Sequence, residues 1–202
     1  MNIIKIKSLV LKRKITKKIN KIKKELYLKE IVKYIDSKGY KNFKISELAV
    51  ILETSIGTIY NLFNSKDELY LEYLLLKFEN FLNKLNENKG DDPMENLRLY
   101  LKYKYEIFIH IDESKDEPIT NDPFFFHKLD VANHPVVIKL YEFLQEQFKV
   151  IFNDGSINHI HLPMLFKKLS DGYIESYLFK KYDTSNIVED TLNHFFYGLK
   201  KV

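Results

Sequence analysis

Residues 45–69 of the chain read ISELAVILETSIGTIYNLFNSKDEL. Apolar positions in this stretch recur at helical spacing and predict two short helices, at about residues 45–52 and 56–63. Thr54 or Ser55 stands where the second helix needs an N-cap, and the run from Ser65 has the spacing of a capping box that opens a third helix. Short helices joined by a tight turn are the outline of a helix-turn-helix unit.

Helical patterns also run through the rest of the 202 residues, with no convincing strand. Glycine (6) and proline (5) are scarce, which favours long helices over many short strands. We count about nine helices and expect an all-α chain, in which a three-helix N-terminal domain precedes a larger helical domain. The first helix is expected at about residues 15–38, ending at Gly39. Residues 112–122 are expected to form an acidic loop, after which Asp122 opens a short aromatic helix.

The residue types present exclude several kinds of chemistry. The chain has no cysteine, so it has no disulfides, thiolate zinc sites or cysteine nucleophiles, and it fits a reducing cytoplasm. It contains no glycine-rich phosphate loop, nucleophile elbow or zinc-protease helix. The sequence therefore predicts no enzymatic activity, no cofactor and no metal site. An enzyme on a helical scaffold is a competing class, which no catalytic constellation supports.

Charge is distributed unevenly along the chain. Residues 1–24 hold ten cations and no acid. Residues 1–69 carry 16 cations against 7 acids, a net +9, whereas residues 70–202 carry 16 against 21, a net −5. A basic end on an acidic body indicates a polyanionic partner for that end, with a solvated basic tail as the alternative. The charge division and the helix-turn-helix motif both predict two domains, residues 1–69 and 70–202.

The basic end also carries an apolar stripe. Ile15, Ile19, Ile22 and Leu26 are spaced 4, 3 and 4 residues apart and therefore fall on one helical face, which is expected to bury against the domain. A basic amphipathic helix could instead lie on an anionic membrane. No secretory signal and no run of about 20 apolar residues occurs. We therefore expect a cytoplasmic protein without a membrane partner.

The motif has a specific family resemblance. The motif contains, in order, Leu48-Ala49, Ser55-x-Gly57-Thr58-Ile59-Tyr60-x-x-Phe63 and Ser65-Lys66-x-x-Leu69. This pattern resembles the DNA-binding domain of the tetracycline-repressor (TetR) family over about residues 27–73. The resemblance implies that the second helix of the motif enters the major groove of DNA. The residues expected to contact DNA are Ser46, Thr54, Ser55, Ile56, Gly57, Thr58, Tyr60, Asn61 and Lys66.

The residue types in this set suit DNA contact. Gly57 lets backbone approach a phosphate closely, Thr58 can bond a base or touch a thymine methyl, and Tyr60 can reach a phosphate. Lys66 lies in the first turn of a helix whose N-terminal amides also favour an anion. The recognition helix has no Arg or Lys, so bidentate Arg–guanine contacts are excluded. An operator read through A·T contacts, methyl contacts and shape is expected, with Arg13 and neighbouring lysines entering an adjacent minor groove.

Two positions depart from the family pattern. The turn reads Leu52-Glu53-Thr54-Ser55 where the family usually has Ala-Gly-Val-Ser, so either Glu53 is strained in a left-handed conformation or the turn differs. Lys44 or Ile45 stands where the family often has a helix-capping threonine. One phosphate contact is then lost, unless Ser46 replaces it.

The resemblance also implies a regulatory domain in residues 70–202. The protein would be a transcriptional repressor that binds a near-palindromic double-stranded operator as a homodimer and is released by a small apolar or aromatic effector. A helical interaction or membrane-surface module using the basic arm is the alternative function. Aromatic residues that could line a ligand pocket, or equally form the core, are Tyr100, Tyr103, Phe108, Phe124, Phe125, Phe126, Phe148, Phe152 and Tyr173. Candidates for a four-helix dimer interface are Ile174, Leu178, Phe195, Phe196 and Leu199.

Overall fold

The structure, a computed structural model, describes residues 3–109, 134–155, 157–180 and 185–198. These ranges contain eight α-helices, one short 3-10 helix and no strand, which confirms the all-α prediction. The helices are α1 (Ile3–Asn42), α2 (Ile45–Ile51), α3 (Ile56–Phe63), α4 (Lys66–Asn88), α5 (Pro93–Ile109), α6 (Pro135–Ile151), the 3-10 helix (His159–His161), α7 (Leu162–Lys180) and α8 (Ile187–Tyr197).

The chain divides into two compact units, Met1–Leu74 and Leu75–Val202. The N-terminal unit contains α1, α2, α3 and the start of α4. The C-terminal unit contains the rest of α4 and the helices from α5 to α8. The expected acidic loop at residues 112–122 and the aromatic helix from Asp122 lie outside the described residues.

An apolar core holds the N-terminal unit together. Its side chains are almost fully buried: Ile31, Ile35, Phe43, Leu48, Ile59, Phe63, Leu69, Tyr70 and Leu74. Side-chain hydrogen bonds tie α1 to the rest of the unit. The Tyr73 hydroxyl donates to the Asp36 carboxylate at 2.6 Å, and the Tyr34 hydroxyl donates to Glu47 of α2. Burial and these bonds together fix α2 and α3 on the C-terminal half of α1.

Helix α1 extends beyond the predicted bounds at both ends, and its N-terminal stripe is exposed. Each side chain of the stripe keeps 49–59% of its surface in contact with solvent: Ile15, Ile19, Ile22 and Leu26. The expectation that this stripe is buried against the domain is wrong. A 40-residue helix is about 60 Å long, and α2 and α3, with seven and eight residues, are too short to cover it. The Lys24–Glu72 ion pair, at 2.6 Å, lies in the same stretch of α1 but on the opposite helical face, two residues from Ile22 and from Leu26.

Helix α5 packs against α6, α7 and α8 in the C-terminal unit. Phe148 of α6 is fully buried, with the Phe166 ring 5.5 Å and the Phe195 ring 5.4 Å from its own centroid. The buried amides of Asn96 and Gln147 bond each other at 2.8 Å. Apolar burial in this unit is therefore accompanied by satisfied polar groups, as stable interiors require.

Helix starts follow the capping residues that the sequence indicates. The Ser65 hydroxyl accepts the Glu68 amide at 3.0 Å, and the Asp92 carboxylate accepts the Met94 amide at 2.8 Å. The Glu68 carboxylate accepts the side-chain amide of Asn64 at 2.6 Å. Serine thus caps α4 as predicted, while the glutamate bonds the residue before the cap.

Candidate nucleic-acid interface and buried cavity

Helix α3 has one buried face and one exposed face. Ile59 and Phe63 are buried in the core of the N-terminal unit. Ile56 is 45% exposed and Tyr60 is 43% exposed, and Asn61 is also exposed. Positions 56, 57, 60 and 61 share a face because a helix repeats every 3.6 residues. This exposed face of α3 therefore presents the aliphatic side chain of Ile56, the phenol of Tyr60 and the amide of Asn61 to a partner.

The N-terminus of α3 is organised by two hydroxyl groups. Ser55 Oγ accepts the Thr58 amide at 3.1 Å, as expected of an N-cap. The Ser55 and Thr58 hydroxyls also lie 2.9 Å apart and share a hydrogen bond. This bond fixes the orientation of the Thr58 side chain before any partner binds, so less side-chain entropy is lost on binding.

The turn between α2 and α3 has the hydrogen bonds of a Schellman motif. The Thr54 amide donates to the Ala49 carbonyl at 2.9 Å, and the Glu53 amide donates to the Val50 carbonyl at 3.1 Å, as this motif requires. Glu53 has φ +47°, in the left-handed region that glycine favours. Of the two alternatives that the sequence left open, the structure therefore has a strained Glu53.

Replacing Glu53 by glycine is expected to stabilise the N-terminal unit by about 1 kcal/mol, because the left-handed conformation costs a residue with a Cβ about that much. The gain is measurable as a rise in the midpoint of chemical denaturation. Glu25→Gly, at an exposed position inside α1, is the control and should destabilise by about 1 kcal/mol. An equal loss of stability in the Glu53→Gly and Glu25→Gly variants would show that Glu53 is not strained.

Gly57 is not required by the packing of the free protein. A Cβ placed there would meet only Ser55 Oγ, at 3.8 Å, which is ordinary contact. Its backbone is not in the left-handed region either. Glycine inside a helix costs about 0.5–1 kcal/mol relative to alanine, so the fold alone gives no reason for glycine at this position.

The remaining residues predicted to contact DNA lie around α3. Lys66 opens α4, and its ammonium lies 4.3 Å from the centroid of the Phe43 ring. Ser46 is exposed in the first turn of α2. The Thr54 side chain hydrogen-bonds Tyr27, and this bond lowers the pKa of the phenol. Lys44, at the N-cap of α2, makes no side-chain capping bond, as the departure from the family pattern led us to expect. Contact of these residues with DNA stays a prediction.

The C-terminal unit contains a cavity of about 40 Å³ between its helices. That volume holds about three water molecules and is far smaller than a typical ligand pocket of 300–1,000 Å³. Its walls are mainly aromatic and aliphatic, with charge confined to three side chains. The lining residues are Phe78, Phe81, Tyr100, Lys104, Val137, Leu140, Tyr141, Leu144, Lys167 and Asp171.

A network of ionic bonds forms the charged part of this wall. The Lys104 ammonium donates to Asp171 Oδ1 at 2.5 Å, to Ser170 Oγ at 2.6 Å and to the Lys167 carbonyl at 3.3 Å. The Lys167 ammonium donates to Asp171 Oδ2 at 2.8 Å. Burial lowers the pKa of Lys104 to about 8, opposed by the nearby Asp171 carboxylate. Attraction to the two ammonium groups holds the pKa of Asp171 below its usual value despite burial.

The aromatic residues predicted to line a pocket have different surroundings in the structure. Tyr100 lines the cavity. Phe148 and Phe152 pack together, with centroids 6.5 Å apart, while the Tyr103 ring lies 5.5 Å from the Lys84 ammonium. Tyr173 hydrogen-bonds His194. The Phe108 side chain and the residues Phe124, Phe125 and Phe126 lie outside the described part of the structure, so ligand contact by these aromatic residues stays a prediction.

The sequence prediction missed the charged wall of the cavity. Lys104 follows Tyr100 by four residues on the buried face of α5, and Asp171 follows Lys167 by four residues on α7. A lysine at a core-facing position of a helix is a signal for a buried ion pair, because lysine is rarely buried without a partner. The identity of that partner, 67 positions away, is not contained in local spacing.

The predicted dimer residues divide into buried and partly exposed side chains. Ile174 is fully buried inside its own unit, so it has no surface left for a partner, which corrects its assignment to an interface. Phe195 and Phe196 are partly exposed and stay candidates. The Leu178 side chain and Leu199 lie outside what the structure describes.

Neither a membrane-spanning helix nor a metal-binding cluster occurs among the described residues. No helix there is both long enough and apolar enough to cross a membrane. No cluster of three or more His, Asp or Glu side chains in those ranges could hold a metal ion.

Comparisons with known proteins concern the motif and the fold. Residues 28–73 match the family profile described as "Bacterial regulatory proteins, tetR family". The fold is similar to the transcriptional regulator FadR of Bacillus subtilis in complex with stearoyl-CoA, with TM-score 0.60 and 16% identity over 86% of this chain and 98% of that one. It is also similar to Thermus thermophilus FadR, a TetR-family repressor in complex with lauroyl-CoA, with TM-score 0.59 and 18% identity over 89% and 96%. PfmR, a TetR-family regulator also from Thermus thermophilus, gives TM-score 0.53 and 19% identity over 87% and 99%. No curated protein sequence matches this chain significantly.

Proposed function

Since the chain is a transcriptional regulator of the TetR family, we propose that it represses genes by binding a near-palindromic operator as a homodimer in the bacterial cytoplasm, and that a small effector releases it. The observation that carries this proposal is the exposed face of α3, held rigidly by its buried Ile59 and Phe63 face. Such a helix fits the major groove, which admits one α-helix. The net charge of +9 over residues 1–69 supplies the attraction to phosphate.

DNA recognition by this unit relies on short and neutral side chains. Ile56 offers methyl groups to thymine, Thr58 offers an oriented hydroxyl, and Asn61 offers an amide that can bond adenine. The Tyr60 hydroxyl and the Lys66 ammonium contact flanking phosphates. Because α3 has no Arg or Lys, we propose an A·T-rich operator whose affinity depends strongly on salt.

An electrophoretic mobility shift with DNA flanking the gene tests this function. The full-length protein should shift one A·T-rich fragment in the presence of excess unrelated DNA. A shift that unrelated DNA removes as efficiently as the fragment itself would contradict sequence-specific regulation.

Deletion of residues 1–14 is expected to reduce the salt dependence of operator binding. The deletion removes five cations, and each phosphate contact contributes about 0.9 to the slope of log K against log salt. We expect the slope to decrease by at least about 2, measured by fluorescence anisotropy. Exchange of the exposed Lys102, Lys139 and Lys149 for glutamine is the control and should leave the slope unchanged. An unchanged slope in the deletion variant would mean that the arm does not touch DNA.

Dimer formation is proposed through α7 and α8. Both helices keep exposed apolar side chains in the single chain, including Leu165 on α7 and Tyr197 on α8. A two-fold dimer would place two α3 helices on the two halves of a palindromic site. Sedimentation equilibrium should give twice the chain mass of 24.2 kDa.

The effector is proposed to bind in the C-terminal unit, at the cavity between its helices. The apolar lining suits a ligand with a hydrocarbon part, and the two FadR proteins of similar fold are described in complex with stearoyl-CoA and with lauroyl-CoA. Because the cavity is small in this structure, the ligand must favour a more open conformation. Such a ligand would release DNA by changing the spacing of the two recognition helices.

A further inference from the structure

Two polar side chains of α1 lie beside the start of α3. The Thr54 side chain, directly before the N-cap Ser55 of α3, hydrogen-bonds the Tyr27 hydroxyl of α1. The Lys23 ammonium, about one turn earlier on α1, lies 5.1 Å from the centroid of the Tyr27 ring. Helix α1 therefore brings a lysine and a tyrosine next to the N-terminal end of the helix that is proposed to read DNA.

The charge of Lys23 is not used inside the protein. Within the described ranges, its ammonium forms no ion pair with a carboxylate and interacts with the Tyr27 side chain. The neighbouring Lys24 differs, because its ammonium pairs with Glu72 at 2.6 Å. Lys23 and Tyr27 also keep part of their surface exposed, so an anion from outside can reach both groups.

The Tyr27 hydroxyl is prepared to donate a hydrogen bond to such an anion. A phenol can accept bonds at its oxygen and still donate its own proton. The hydrogen bond from Thr54 lowers the pKa of Tyr27, opposed by burial and assisted by the Lys23 ammonium. Neighbours that donate to the phenol oxygen in this way make its O–H group a stronger donor and leave its proton for an acceptor beyond the protein.

We propose that Lys23 and Tyr27 bind one phosphate of the DNA backbone, with Thr54 holding the phenol in place. This inference rests on the proposed function and extends the DNA interface from the helix-turn-helix motif onto α1. The two groups flank the exposed face of α3 and are not part of it, and the sugar-phosphate backbone is what flanks the major groove. Lysine and tyrosine are both common donors to phosphate oxygens.

A phosphate contact has a recognisable effect on specificity, because it carries no sequence information. Loss of Lys23 or Tyr27 should therefore weaken binding to all DNA sequences by the same factor and leave the preference for the operator unchanged. Loss of a base contact should instead reduce that preference, as we expect for Asn61→Ala on the exposed face of α3.

Variants at two positions of the full chain test the site by fluorescence anisotropy over a series of salt concentrations. The probes are the genomic fragment that is bound most tightly and an unrelated duplex of the same length. Lys23→Gln should lower the slope of log K against log salt by about 0.9, the contribution of one phosphate, and Lys23→Arg should keep the slope. Tyr27→Phe should weaken binding at least about threefold, the effect of one hydrogen bond, without changing the slope.

Lys29→Gln is the matched control for the charge. It removes a cation from an exposed position of the same helix, six residues from Lys23 and about 120° away around the helix axis. The slope should stay unchanged in this variant. Tyr27→Phe keeps the aromatic ring, and circular dichroism verifies that every variant is folded.

The outcomes distinguish this site from the proposed function. If the unchanged protein prefers the genomic fragment but Lys23→Gln and Tyr27→Phe bind both duplexes as tightly as it does, the phosphate site is wrong while the regulatory function stands. If the unchanged protein binds both duplexes equally and the two variants weaken both, the phosphate site stands and sequence-specific regulation is wrong. Binding to neither duplex would exclude both. A reduced preference for the genomic fragment in either variant would assign that residue to a base edge and overturn the phosphate site.

Discussion

Replacing Gly57 by alanine is expected to stabilise the free protein and to weaken its binding to DNA. The added Cβ would meet only Ser55 Oγ at 3.8 Å, so helix propensity should raise the free energy of unfolding by about 0.5–1 kcal/mol. The same methyl group would separate the α3 backbone from a phosphate. We expect operator affinity to fall at least tenfold, which corresponds to about 1.4 kcal/mol. Thermal denaturation and fluorescence anisotropy measure the two effects.

The opposite signs distinguish a DNA-contacting glycine from a structural one. Gly172→Ala is a matched control, because Gly172 lies inside α7 with no atom within 4 Å of an added Cβ. It should give a similar stabilisation without a loss of operator affinity, with the association state verified by sedimentation. If Gly57→Ala were to bind operator as tightly as the unchanged protein, the backbone at this position would not approach DNA closely.

Replacing Phe148 by alanine is expected to destabilise the C-terminal unit by about 3–5 kcal/mol, the usual cost of removing a fully buried phenyl ring. The ring is completely buried and packs against Phe152, Phe166, Phe195 and Phe196. Chemical denaturation followed by far-ultraviolet circular dichroism measures this loss. A change of that size can unfold a domain whose total stability is about 5–15 kcal/mol.

Phe152→Ala provides the comparison within the same ring cluster. Phe152 lies at the C-terminal cap of α6 and is only partly buried, so its removal should cost clearly less. A loss below about 1 kcal/mol for Phe148→Ala, together with weaker effector binding, would show instead that Phe148 is part of a ligand pocket. The sequence alone allowed both roles for this residue.

The helix-turn-helix motif could be predicted from sequence because its determinants are local. Helices α2 and α3 end within one residue of their expected limits. Ser55 caps α3 through the predicted bond to the backbone. Glu53 stands where the family resemblance implies a glycine, so the sequence could single it out as either strained or part of a different turn, and its φ of +47° decides for strain.

Features that depend on distant contacts could not be predicted. The periodicity of Ile15 and Ile19 indicates an apolar helix face, but whether another element covers that face depends on the tertiary structure, and both are exposed. The Lys104–Asp171 pair joins α5 to α7, and no short-range pattern links the two residues. For the same reason, Tyr100 could be named from the sequence as a candidate pocket residue because it is aromatic. The charged side chains of the same cavity could not be named in this way.

Sequence-specific DNA binding is tested by a selection of genomic DNA fragments on the purified full-length protein, followed by footprinting of the fragment that is bound most tightly. We expect one A·T-rich, near-palindromic site with two protected half-sites about one helical turn apart, and the affinity for this site should fall steeply with salt. Retention of fragments without any common sequence, or of no fragment at all, would contradict the conclusion that this chain regulates transcription by reading DNA.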